Sequence, residues 1–482
     1  MNTELLTRVQ QVNPATSDDS IPIGVWGAQQ VLEELKRQTD TPVPWRPRPN
    51  RPWLIAAAVA VAVLIMIGGL GVLTRDRGTI APPVINQPEP TPTTLPDTSL
   101  PVPAELDLGA LSWKRVPDTE ELFGAGSVVY SVVASDSIFV AVGTDAGNAC
   151  QPVFCGATRE GSAAVWTSVD GSTWTRVPHS ESVFGGPGGQ EMWDVTTWEG
   201  GFVAVGVDTQ TPEPGITLHP PQIAAVWTSP DGVSWSRVQH DVSVFGGSGR
   251  QEMWSVAASE SGIVAAGFDE EGPMNGSAEN QAIWVSRDGA AWTQVPPGFG
   301  TGTMHELAAT PTGFIGVGES EGAAVWTSAD GVSWTLFSGS PVDAHDSYMT
   351  SIAVTNSAYV ATGADSDRRA AVWTSADRET WTRIAGDPNL FASNVEKGLD
   401  IAGSQAGIVA VGNNSPHRRE QRSESAIWIS PNPGTWNRRF EDDALFAEAL
   451  IQAVAMSDAA VVVAGSDGER GAIWVGVTTE GN

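Results

Sequence analysis

From residue 111 onward the chain alternates short apolar runs with short polar punctuation, and the runs recur in a fixed order. One type is apolar on both pleat faces: IFVAVG, GFVAVG, GIVAAG, GFIGVG, AYVATG, GIVAVG and AVVVAG. That pattern suits a strand packed against neighbours on each side. Each such run leads into an Ala-x-Trp strand, ending at Trp166, Trp227, Trp284, Trp326, Trp373, Trp428 and Trp474. A tight turn then precedes a strand marked by a second tryptophan series, Trp113, Trp174, Trp235, Trp292, Trp334, Trp381 and Trp436. With a further run of the type Met192-Trp-Asp-Val195, every unit has four strands, and units of some 42 to 61 residues recur seven times. Self-similarity of that period and content predicts an all-β, seven-bladed β-propeller of four-stranded blades. The phase adds a constraint. The chain enters on an isolated fourth strand, Ser112 to Val116, and leaves on an isolated third strand, Ala472 to Trp474, so its two ends complete one blade. A linear solenoid, the competing arrangement, has no need of complementary ends, whereas a ring uses them to remove its open edges.

The pattern before residue 111 is different. Trp53 to Leu73 is an uncharged apolar run of 21 residues, long enough as a helix to cross a bilayer core of roughly 30 Å. The long polar leader ahead of it, and the lack of a clear small-residue cleavage site after it, favour a transmembrane helix over a signal peptide. Lys36, Arg37, Arg46, Arg48 and Arg51 precede the run, which puts the N-terminus in the cytoplasm and the rest outside. Residues 74–110 are rich in Pro and Thr and read as an extended linker, so the expected domains are 1–52, 53–73, 74–110 and 111–482. Within 1–52, Leu5, Leu6, Val9 and Val12, then Trp26, Leu32 and Leu35, show weak helical spacing. These are either docking helices for a cytosolic partner or a segment that is disordered or lies on the membrane.

Composition narrows the partners. The formal net charge is −30, from 56 acidic and 26 basic residues, and no Lys/Arg block is present to neutralise a phosphate backbone, which argues against nucleic acid. Cys150 and Cys155 are the only cysteines. Their shared loop, CQPVFC, allows a disulfide and offers too few thiols for a Cys-only zinc site, in keeping with an oxidising compartment.

The turn between third and fourth strands carries a motif, Ser-x-Asp-Gly-x-x-Trp, with Asp170, Asp231, Asp288 and Asp330 in full copies. Two later copies drift, with Arg378 after Asp377 and Asn432 in the Asp position. A short carboxylate can accept turn amides, Gly tolerates positive φ, and Trp covers the turn, so the motif reads as a structural staple repeated wherever the same hairpin recurs. It resembles the Asp-box (BNR) repeats of the sialidase-like propellers, with Gly one position closer to Asp than in that family. The resemblance covers roughly residues 111–477 and implies the fold, with the boxes on the face away from an active site. Sialidases of similar fold also use an arginine triad, a Tyr/Glu nucleophile pair, an acidic proton donor and an Arg-Ile-Pro signature. Arg115-Val-Pro117 and Arg176-Val-Pro178 look alike superficially, but they sit on the repeated fourth strand together with Arg237 and Arg383. No sialidase catalytic set can be carried over.

Candidate chemistry lies where repetition breaks down. If the first strand of each unit lines the central channel, one column reads Tyr130, Trp193, Trp254, His305, Thr350, Leu399 and Gln452. The next reads Ser131, Asp194, Ser255, Glu306, Ser351, Asp400 and Ala453. Aromatic faces beside carboxylates and hydroxyls suit a sugar or a peptide segment, with Glu191 and Glu252 widening an acidic funnel. The competing reading is that Trp193 and Trp254 pack between blades and the carboxylates are solvated or capped. Asp194 with Glu306 is the pair for acid/base hydrolysis in the enzyme alternative, a glycoside hydrolase or lyase. Asp145, Asp208, Asp269, Asp365 and Asp467 each follow the second-strand Gly by two residues; turn initiation is the ordinary reading of them, calcium the other. Loops spanning 144–162, 208–222, 269–281 and 413–425 vary in length and should crown the channel face, where selectivity resides. The sequence therefore predicts a membrane-anchored, extracytoplasmic binding module for a glycan or protein, with an envelope sensing or assembly scaffold as a further alternative.

Overall fold

The computed structural model describes residues 106–478, apart from 146–160, 211–220, 247–248, 271–280, 297, 299, 301, 339–346, 385–394, 415–423, 440–444 and 447–448. The segments 1–52 and 53–73, most of the Pro/Thr linker, both cysteines and the middles of the long loops lie outside the described residues. Among the described residues no helix is long and apolar enough to cross a membrane.

Seven four-stranded antiparallel sheets make up the described body. Blade 2 is representative: an inner strand Gln190–Trp198, then Gly201–Thr209, Gln222–Ser229 and a short outer strand Ser236–Arg237. The inner strands of blades 1 and 3 to 7 are Ser127–Ala134, Gln251–Ser259, Thr303–Thr310, Tyr348–Val354, Val395–Ser404 and Leu450–Met456. Blade 7 takes its outer strand from the other end of the chain. Leu111–Arg115 pairs antiparallel with Gly471–Thr478, from Leu111 opposite Thr478 to Arg115 opposite Trp474. The folded body begins earlier than residue 111, since Leu106 and Leu108 are buried with Val409, Ile429 and Val461.

The doubly apolar second strands are explained by what they separate. There are seven buried clusters, and each joins two neighbouring blades, including one between blades 7 and 1 that unites Val462 and Val475 with Val129 and Phe139. A ring of that kind has a hydrophobic seam on both faces of every sheet. The third-strand tryptophans sit in these seams at 0 to 2% exposure. Their indole N–H groups also tie down the segment leading into the same blade: Trp166 donates to the Leu122 carbonyl at 2.6 Å, Trp227 to Val183 at 2.7 Å, Trp284 to Val244 at 2.7 Å and Trp474 to Leu445 at 3.0 Å.

The box motif forms the outer hairpin. Asp170 accepts the Ser172 and Thr173 amides at 2.8 and 2.6 Å and the Ser168 hydroxyl at 3.0 Å, while Trp174 donates to the Gly171 carbonyl at 2.7 Å. Asp231, Asp288, Asp330 and Asp377 repeat the arrangement. Gly171 has φ of 71°, and Arg378 holds the same left-handed conformation at 73°, which L side chains rarely adopt. In the other drifted copy Asn432 still accepts the Gly434 amide at 3.1 Å, and Trp436 donates to the Pro433 carbonyl at 3.0 Å. The amides they accept hold all five box carboxyls below the usual carboxylate range, Asp377 at about 2.

The fourth-strand arginines have a local task as well. Arg176 pairs with Asp145, Arg237 with Asp208, Arg383 with Asp365 at 2.6 Å and Arg115 with Asp467 at 2.5 Å. In blade 3, Gln294 takes this place and donates to Asp269 at 2.7 Å. Asp365 and Asp467 also start turns, as expected, by accepting the Asp367 and Glu469 amides. An ion pair or amide bond across the blade is thus the common role of this aspartate series, which turn chemistry alone did not anticipate.

A candidate binding site in the central channel

The inner strands leave one edge facing the axis, and that edge shapes the site. In six of the described inner strands the pairing skips one residue, with breaks at Val129/Ser131, Met192/Asp194, Met253/Ser255, Met304/Glu306, Met349/Ser351 and Ile451/Ala453. In Val395–Ser404 the irregularity spans Lys397 to Asp400. The skipped residues of the six are Tyr130, Trp193, Trp254, His305, Thr350 and Gln452. A bulge turns its extra residue out of the ladder, and here it turns each one into the channel. The second-strand glycine makes room for it. A Cβ on Gly206 would lie 2.0 Å from the Glu191 carbonyl oxygen, and Gly143, Gly267, Gly318, Gly363 and Gly465 meet equivalent carbonyls at 1.8 to 2.0 Å.

A cavity of about 380 Å³ follows, lined by both columns identified in the sequence. Tyr130, Trp193, Trp254 and His305 bring four rings from four consecutive blades. Trp254 is backed by Phe268, stacked at 6.3 Å with planes 10° apart, and Arg250 covers the other part of Phe268 at 5.3 Å. Trp193 donates its indole N–H to Glu191 at 2.7 Å and Trp254 donates to Glu252 at 3.1 Å. His305 Nδ1 lies 2.8 Å from the Met349 carbonyl; since a carbonyl only accepts, Nδ1 carries the hydrogen.

The second column forms a belt between blades. Asp194 accepts the Ser131 hydroxyl at 2.8 Å, the Val195 amide at 2.8 Å, the Ser255 hydroxyl at 3.1 Å and the Val256 amide at 2.8 Å. Asp400 accepts the Ser351 hydroxyl at 2.7 Å and the Ile401 and Val454 amides at 2.9 and 2.7 Å. Ser255 Oγ accepts the Leu307 amide at 3.0 Å, and Glu306 the Ile352 amide at 3.2 Å. Side chains of one blade therefore satisfy inner-strand amides of the next, groups that would otherwise face the channel unpaired. The belt lapses at Ala453, on the inner strand of the closing blade.

Burial dominates the electrostatics. It raises Asp194 to about 6 against the four bonds that favour the charged form. Burial, then repulsion from Asp400 and Asp194, pushes Glu306 well above its ordinary value, and burial raises Asp400. No lysine or arginine lines the cavity among the described residues.

Measured against the sequence, Tyr130, Trp193, Asp194, Trp254, His305 and Glu306 are brought together around one cavity. Glu191 and Glu252 are not among its lining residues. Glu252 is 1% exposed and engaged by Arg250 at 2.7 and 3.0 Å, so it supports the Trp254 edge and widens no acidic funnel. Sequence reasoning missed the bulge and the belt. The invariant second-strand glycine was the available signal for the first.

No family model matches this chain, and no curated protein does. Solved structures similar to it include YCF48 bound to a D1 peptide, at 16% identity, covering 79% of this chain and 100% of that one with a TM-score of 0.46. Another is a protein of unknown function from Dyadobacter fermentans, at 12% identity, 77% and 99% coverage and a TM-score of 0.44. A third is a catalytically inactive virginiamycin B lyase from Staphylococcus aureus with quinupristin, at 10% identity, 75% and 99% coverage and 0.45. Likeness at that level says nothing of ligand or chemistry. What the chain's own strand pairing establishes is a closed, all-β propeller of seven four-stranded blades.

Proposed function

We propose that this propeller is a binding module whose channel mouth takes a glycan or a protein segment presented outside a membrane, to which residues 53–73 anchor the chain. The observation that supports it most is the set of rings, Tyr130, Trp193, Trp254 and His305, each placed on a bulge and aimed into one cavity. Keeping large rings at a solvent channel costs the burial they would gain in a seam, and a bound ligand recovers it. The apolar run and its basic flank support the anchor, and the closely spaced Cys150 and Cys155 an oxidising outside. The hydrolase alternative is weaker. Asp194 already accepts four protein donors, which fills the lone-pair positions a carboxylate has, so no free acid/base pair faces the channel.

A screen of glycans and peptides against the full chain tests the module. Ligands found this way should lose about tenfold or more in affinity in Trp193→Ala and again in Trp254→Ala, consistent with about 1 to 3 kcal/mol per stacked ring. Unchanged affinity in the double variant overturns the proposed mouth. Turnover of a glycan abolished by Glu306→Gln would instead revive the hydrolase. Copurification of a cytosolic protein through residues 1–52 would support the scaffold alternative.

A further inference from the structure

We infer that the ligand group entering the channel mouth is an alkylammonium cation, a lysine side chain or a free amine, held between the aromatic faces and the carboxyl of Glu306. The inference rests on the binding reading above and names what enters.

The hydrogen-bond inventory of the wall points there. Its donors are largely committed. The Ser131 and Ser255 hydroxyls donate to Asp194, that of Ser351 to Asp400, and that of Thr350 to the Leu399 carbonyl at 2.7 Å. Both indole N–H groups donate to glutamates and His305 Nδ1 to Met349. What the wall turns to the channel includes the rings of Trp193, Trp254 and His305 and the carboxyl groups of Asp194, Glu306 and Asp400. Gln452, exposed, also lines the wall, as do the hydroxyl-bearing Tyr130 and Thr196. An anion needs donors from its site, whereas a sugar hydroxyl both donates and accepts and is neutral. An ammonium brings three donors and no acceptor, and aromatic faces attract cations by about 0.5 to 2 kcal/mol.

Charge points the same way. Three carboxyl groups face a cavity with no lysine or arginine, on a chain of net charge −30. Asp194 accepts four donors and Asp400 three, whereas Glu306 accepts one amide, at 3.2 Å, with the Ser351 hydroxyl beside it. The titratable groups around Glu306 are Asp194, Asp400, His305 and, in the same cavity, Tyr130. Burial and like charge raise its pKa, and so favour the protonated carboxyl in the free protein. A cation bound against it favours the carboxylate, so binding expels that proton to solvent and strengthens as pH rises toward the raised pKa.

Calorimetry on the full chain tests this with butylammonium, a lysine-containing peptide and the same peptide acetylated on the ε-nitrogen. The expected result is binding of the peptide, of butylammonium or of both, at least about tenfold tighter than the acetylated form. Titrations in two buffers of different ionisation heat should show net proton release. Glu306→Gln, isosteric with the protonated acid, should weaken the amine about tenfold and abolish that release. Binding of butylammonium without the peptide marks a free amine as the ligand; the reverse marks a protein. Equal binding of the acetylated peptide, or no binding of either amine, overturns the inference. If neutral ligands then still depend on Trp193 and Trp254, only the cation is wrong; if they do not, the mouth itself is not a site.

Discussion

At the residue scale the channel holds two kinds of carboxyl that one substitution separates. Asp194 accepts four donors, so Asp194→Asn turns one acceptor into a donor facing a hydroxyl and an amide. It should destabilise the fold by about 1 to 3 kcal/mol in denaturant titration. Glu306→Gln keeps an acceptor for the Ile352 amide and removes a carboxyl whose pKa burial raises, so it should cost less than about 1 kcal/mol. The pH profile follows from the signs. Asp194 is raised from 3.8 to about 6, so its contribution is fully present below the unfolded value, declines as pH rises through 6, and is constant above. The box carboxyls act in reverse. Asp377 is lowered to about 2, so its contribution is complete above the unfolded value and fades as pH falls through 2. Asp194→Asn should flatten the decline between pH 4 and 6 and leave the acid limb unchanged. The columns themselves were legible, because aligning the repeats puts Asp194 and Glu306 in register. Their occupation was not. Three of the four partners of Asp194 lie 61 to 63 residues away, and Ser-Asp-Ser at one stretch of the ring and Ser-Asp at another meet the same need, so a conserved task looked like free variation.

At the element scale the inner strand is defined by its bulge, and the bulge by a glycine on its neighbour. Gly206→Ala would put a methyl group 2.0 Å from the Glu191 carbonyl oxygen, where only backbone movement relieves the clash. It should cost about 2 to 4 kcal/mol, and if the strand relaxes by losing the bulge, Trp193 turns away from the channel. Urea titration checks the first outcome; loss of quenching of the channel tryptophans by acrylamide checks the second. The strand runs and the seam tryptophans, repeated seven times, and the hairpin, repeated six times, were readable because each obeys a local rule. Alternation of apolar residues cannot show a bulge, since it changes which residue faces the axis without changing residue type. The same limit applies to Glu252. Its place near two aromatic positions suggested a funnel, and only Arg250 beside it reveals that the buried carboxylate is paired with a half-exposed guanidinium.

At the scale of the whole molecule, the ring depends on its ends. Leu111–Arg115 covers the free edge of Gly471–Thr478, while the Gly471 and Gly126 amides bridge blades 1 and 7 through Ser127 Oγ and the Glu469 carbonyl at 2.9 and 2.8 Å. The repeat phase made this closure legible, because an unpaired fourth strand at one end and an unpaired third strand at the other have no separate solution. A chain lacking everything before residue 117 removes the covering strand together with Leu106 and Leu108, and exposes a central-type strand rich in apolar side chains. Such edges recruit other chains. The truncated protein should unfold over a broader denaturant range than the full chain and form oligomers on size exclusion. Adding a peptide of residues 106–117 should restore the monomer, since the pairing register from Leu111/Thr478 to Arg115/Trp474 remains available to it. A truncated chain that stays monomeric and unfolds as sharply as the intact one would mean that the blade seams alone hold the ring. The channel geometry would then owe nothing to the closing strand.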